Sequence, residues 1–171
     1  FTTDQISQLT DTQIAAMTTA QIKSIATNDL QKLTGAQLQA ITTAGVKALT
    51  TDQVVALTTQ QVTSLQVAQV KGLTTTQMLA MEGDDVKAMT TAQIAGLSSD
   101  QLRALSTDQI QVLTTGQVSA LSVTQVASLL VPQVQAVEGV YLKTLSSDQI
   151  RSLTTDQVAG CLLYTSDAAD E

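Results

Sequence analysis

Apolar side chains recur along this chain with a period of eight, spaced alternately five and three residues apart. Counting each octad from Phe1, position 1 is apolar in all twenty units, from Phe1, Leu9 and Met17 to Leu153, and so is position 6, from Ile6 and Ile14 to Val158. The polar positions are nearly as regular. Ser or Thr occupies position 2 in fifteen octads and Gln occupies position 5 in sixteen, the exceptions being Asp29, Gly45, Asp85 and Tyr141. A strict short repeat of this kind implies a stacked solenoid in which each unit contacts its neighbours and no single cleft gathers the chemistry.

The segment between positions 1 and 6 decides between an α- and a β-solenoid. In Leu49-Thr-Thr-Asp-Gln-Val-Val-Ala-Leu57, Thr50 followed three residues later by Gln53 is a capping box, in which each side chain serves the other's backbone N–H. Asp52 would lie in the first turn, where the helix dipole favours negative charge. Val54 and Leu57 are three apart on one helical face. A β-solenoid could use the same apolar columns, but it needs corner residues in special backbone conformations. The eight glycines occupy no fixed column, whereas Gln and Ala, good helix formers, are placed by register. The expectation is an all-α solenoid of short two-turn helices, one per octad, starting near position 3; the β-solenoid is the alternative.

Two further columns carry spatial information. Position 8 is mostly Ala, Ser or Gly, which predicts close approach of another backbone. Position 7 holds Lys23, Lys47, Lys71, Lys87, Arg103, Lys143 and Arg151, seven of the eight basic residues, and is therefore the solvated position. The octads at Ile25, Met81 and Val137 lose both the Thr cap and the Gln, and they lie 56 residues apart. Either a superhelix completes one turn every seven octads, rotating by about 50° per octad, or the gene grew by duplicating a 56-residue cassette. The first reading aligns Asp29, Glu82, Asp84, Asp85, Glu138 and Tyr141 as a candidate interaction stripe.

Composition narrows the function classes. The pattern stops at Gly160, and the tail from Cys161 to Glu171 resembles a translated sequencing adaptor, so residues 1–160 are read as one twenty-octad solenoid, part of a longer array, followed by a non-native tail. Without that tail, which contains Asp167, Asp170 and Glu171, the net charge of −7 becomes −4 and no cysteine remains; the chain has no His and no Trp. Thiolate nucleophiles and His-based catalysis or metal binding are thus not expected. Glu82, Asp84 and Asp85 offer the oxygens that Ca2+ prefers. The equivalent octad keeps only Glu138, so the cluster reads as a solvated helix start and no metal or cofactor is expected. The run Leu129-Leu130-Val131 is broken by Pro132 and is far short of the ~20 apolar residues of a membrane span.

The octads of residues 1–160 resemble L-T-T-x-Q-[IV]-x-[AS] arrays in large bacterial proteins, many of them surface-associated, and that resemblance implies no catalytic activity. Leu49-Thr-Thr-Asp-Gln-Val-Val-Ala is also similar to the opening helix of TAL-effector repeats. The octad leaves no room for their second helix or base-reading loop, and a negative chain lacks the basic stripe that phosphates require. The expected function is therefore a non-enzymatic spacer or protein-binding scaffold, with a protein as the partner class, no nucleic acid, and a cell-surface or extracellular setting favoured. Ice binding through position-3 threonines is the alternative, and a nucleic-acid-binding repeat protein ranks behind it.

Overall fold

The computed structural model describes residues 3–137 and 142–160, and helix is the only regular element among them. The helices are α1 (Thr3–Ser7), α2 (Asp11–Ala15), α3 (Thr19–Lys23), α4 (Thr27–Leu30), α5 (Gly35–Ala40), α6 (Thr43–Ala48), α7 (Thr51–Val55), α8 (Thr59–Ser64) and α9 (Val67–Gly72). There follow α10 (Thr75–Ala80), α11 (Gly83–Ala88), α12 (Thr91–Gly96), α13 (Ser99–Ala104), α14 (Thr107–Gln111), α15 (Thr115–Ser119), α16 (Val123–Ser128), α17 (Val131–Ala136) and α18 (Ser147–Arg151). A last helical stretch covers 155–160. Every one of them begins at position 3, as the capping boxes predict.

The cap geometry explains that boundary. At α7, the Gln53 N–H donates to Thr50 Oγ1 at 3.1 Å while the Thr50 N–H donates to Gln53 Oε1 at 2.8 Å. Thr50 itself is extended, with φ −73° and ψ 161°. The helices are four to six residues long, shorter than the two turns expected. Positions 1 and 2 both leave helical geometry to turn the chain: in α6, Leu49 closes the helix at φ −53°, ψ 141°, and Thr50 opens the next. Six residues are the most that remain. Two successive extended residues make the corner without any positive φ among the described residues, which is why glycine has no column.

Isolated helices this short do not persist in water, so stability must come from stacking. Each helix packs against the helix three octads away: α3 on α6, α6 on α9, α9 on α12, α10 on α13, α11 on α14 and α14 on α17, and α16 meets α18 at the same spacing. Positions 1 and 6 point inward and form one continuous core, with Leu30, Met78, Val86, Ile94 and Leu102 wholly buried. Each buried aliphatic side chain contributes about 1.5–3 kcal/mol. At the C-terminal end Ile150 and Val158 occupy the same position 6 yet are 45% and 41% exposed, since no later described turn covers them. Position 7 is exposed at Lys23, Lys47, Lys71, Lys87 and Arg103, in keeping with its charge.

Of the two readings of the 56-residue spacing, a turn of seven octads is not what forms. Contacts three octads apart, and hydrogen bonds linking residues 25 to 31 apart, show that a turn closes in little more than three octads. A helical step of that size rotates each octad by roughly 100°, not 50°. The 56-residue spacing corresponds to two turns.

The close approach predicted at position 8 is present. A Cβ on Gly72 would stand 3.2 Å from the Thr43 carbonyl oxygen, and one on Gly96 would stand 2.5 Å from Val67 Cγ1. Gly96 thus answers the replacement of the usual Thr by Val67 one turn earlier, and Gly160 answers Val131 in the same way. Gly96→Ala should therefore destabilise the chain by about 1–3 kcal/mol through overpacking, despite the better helix propensity of Ala. Adding Val67→Ala should recover most of that loss in urea denaturation; simple additivity of the two changes would refute the pairing.

Candidate functional site

The position-5 glutamines are buried, and their geometry goes well beyond capping. Gln53 is 2% exposed. Its Oε1 accepts from the Thr50 N–H, while its Nε2 donates to the Ile22 and Ile25 carbonyls of the preceding turn at 3.0 and 2.7 Å. Gln61 does the same with Leu30 and Leu33, Gln69 with Leu38 and Ile41, Gln93 with Val62 and Leu65, and Gln125 with Ile94 and Leu97. The register is constant in these five, whose amides reach carbonyls 28 and 31 residues back; Gln37 and Gln149 reach 28 and 30 back. Those carbonyls belong to the C-terminal end of a helix and to the junction beyond it, so one side chain satisfies an orphan donor of its own helix and orphan acceptors of another.

The sequence contained a signal for this ladder. A capping box accepts Glu as readily as Gln, yet no Glu stands at position 5 in any of the twenty octads. Only the amide can also donate. Gln13 and Gln21, in the first described turn, complete their capping boxes but are exposed, with no described turn before them to offer carbonyls.

Two described octads interrupt the ladder. At Gly45, α6 keeps the bond from the Gly45 N–H to Thr42 Oγ1 at 3.1 Å, but no side chain reaches back. At Asp85 a carboxylate replaces the amide and is only 4% exposed. Burial, with Glu82 and Asp84 adding repulsion, pushes the Asp85 carboxyl up to about 6 against a bond from Thr59 that works the other way. The sequence reading of this segment as a solvated helix start is corrected at Asp85, because position 5 faces the preceding turn. Glu82 and Asp84 are exposed and Asp29 is half-buried. Of the candidate stripe, Glu138 and Tyr141 lie outside the described residues.

Among the described residues no group of three or more His, Cys, Asp or Glu side chains could hold a metal ion. A void of about 20 Å³ among Ile110, Leu113, Val118 and their neighbours is no larger than a water and wholly apolar. It is a packing defect of the core. No described helix is long and apolar enough to cross a membrane.

Stacking every third octad sorts the surface charges in a way the linear sequence hides. Lys23, Lys47 and Lys71 fall on α3, α6 and α9, which lie one on another. Position 4 on these helices, and on α12 and α15 beyond them, is Ala20, Ala44, Ala68, Ala92 and Gly116, with no acid. Acids occupy the other two stacks: Asp52, Asp100 and Asp148 on α7, α13 and α18, and Asp84 and Asp108 on α11 and α14. A net-negative chain thus has one stack whose described helices carry Lys but no acid.

The ALTTAQ repeat family model matches residues 22–59, 78–115 and 99–131, together more than half of the chain. The chain belongs to the ALTTAQ repeat family. No curated protein matches the chain.

The ladder ranks substitutions along this ALTTAQ array. Gln93→Glu keeps the cap acceptor but sets a buried anion against the Val62 and Leu65 carbonyls, and should cost about 3 kcal/mol or more. Thr90→Ala should cost about 0.5–2 kcal/mol as a lost cap, and Lys47→Ala about 0.5 kcal/mol or less. Chemical denaturation at neutral pH checks the order; a silent Gln93→Glu would mean that the inter-turn bonds carry no stability.

Proposed function

We propose that the chain is a non-enzymatic structural spacer that also offers a protein-docking surface, within a larger bacterial surface or secreted protein. The single observation that carries this reading is the Gln ladder. From Gln37 to Gln157 it ties successive turns by side-chain bonds to backbone, a device that holds a repeat array together along its axis. Its chemistry is spent on the fold itself, with the amides turned inward and capping hydroxyls engaged. The acid-free stack carrying Lys23, Lys47 and Lys71 supplies what a uniform array otherwise lacks, a run of helices distinguishable by charge, and it suits an acidic protein partner better than a neutral one.

Membership in the ALTTAQ repeat family supports the repeat architecture and is compatible with this role. Small-angle scattering of the chain should show a rod of constant cross-section, and freezing assays should show no thermal hysteresis or ice shaping. A compact scattering particle would overturn the spacer reading. Ice shaping lost on enlarging Thr51, Thr59 and Thr75 would favour the threonine-array alternative.

A further inference from the structure

The Gln ladder has a charged rung at its centre, and its neighbours show what that rung should do. In the octads on either side, Gln77 donates to the Leu49 carbonyl at 2.7 Å and Gln93 to the Leu65 carbonyl at 2.7 Å. By the same register position 85 faces the Val54 and Leu57 carbonyls. The Leu57 carbonyl receives no hydrogen bond from any described residue, while Val54 is met only by its own junction, through the N–H groups of Ala56 and Leu57. An ionised Asp85 keeps the bond from the Thr59 hydroxyl but offers no donor to those carbonyls; a protonated one is a donor. Asp85 also gives α11 no capping box, and Glu82 before it makes no side-chain cap bond.

We propose that Asp85 is a proton-operated joint in the solenoid: protonated, it closes the ladder between α11 and the α7–α8 junction, and ionised, it opens that junction while the turns on either side stay locked. The surroundings set the direction. On α11 itself stand Glu82, Asp84 and, on the exposed face, Lys87; α8, packed against it, carries no charged side chain; α14 on the other side carries Asp108, and α7 carries Asp52. The groups around the joint are mostly acidic, and the only listener of opposite sign points to solvent. The α11 N-terminus favours the anion, but that effect is confined to one screened turn.

The folded-state carboxyl titrates near 6 against an ordinary 3.8. The folded chain therefore binds the proton more tightly than the unfolded one. Stability from this group is fully present below the ordinary value and is lost as pH rises through the folded one.

The test is hydrogen exchange of the full chain at about pH 5 and about pH 7.5, after correction for intrinsic rates, for the native protein, Asp85→Asn and Asp85→Gln. Residues 51–64 and 83–88 should lose protection at the higher pH in the native protein, while 99–136 change little. Both variants should abolish that difference, and Asp85→Gln should also raise the Tm at neutral pH. Equal protection at the two pH values in the native protein, or a pH effect that survives in both variants, overturns the proposal. If Asp85→Gln proves too long to fit, Asp85→Asn and the carboxyl 13C titration of the native protein still decide: an Asp85 that titrates with the exposed aspartates contradicts the joint.

Discussion

An octad helix is almost all ends, and that constraint governs this molecule. A helix leaves its first four N–H groups and last four C=O groups without internal partners; in helices of four to six residues this is nearly every polar group of the backbone. Burying such segments without partners would cost about 1–3 kcal/mol for each lost group. One side chain with both an acceptor and a donor, held at a fixed place in each octad, meets demands at both ends. The Gln at position 5 takes the N–H of its own cap with Oε1 and gives Nε2 to two carbonyls of the previous turn.

The rest of the architecture follows from that bond. For the amide to reach carbonyls 28 and 31 residues back, the chain must complete a turn in little more than three octads, which puts positions 1 and 6 inside and position 7 outside. It also makes helices three octads apart the packing neighbours, so that position 3 of one meets position 8 of the other. Where position 3 grows to Val67, position 8 shrinks to Gly96. Charge is sorted by the same stacking, with the lysines of the acid-free stack of α3, α6 and α9 lying 24 apart in sequence.

Much of this was legible in the sequence because each octad repeats its own local signals. Thr50 and Gln53 mark a helix start without knowledge of the fold, and the lysines of position 7 mark the outside. What stayed hidden was longer in range. The capping box explains the Gln so well that its second bond, to a carbonyl 28 residues away, left only one trace: Glu never takes its place. The length of the turn stayed open for the same cause. The irregular octads at Ile25, Met81 and Val137 repeat every 56 residues, and sequence spacing alone does not separate one turn from two. Asp85 looked like a solvated first-turn acid for the same reason, since nothing local says that position 5 faces another helix.

The central claim is that the buried glutamine amides bond across turns and not to water. Exchange of the Gln side-chain amide protons, resolved residue by residue by NMR, tests it most directly. Gln53, Gln69, Gln93 and Gln125 should exchange slowly, in step with the backbone amides of their octads, while Gln60 and Gln111, exposed at positions 4 and 7, should exchange at the rate of free amides. Uniformly fast exchange across all of them would contradict the ladder.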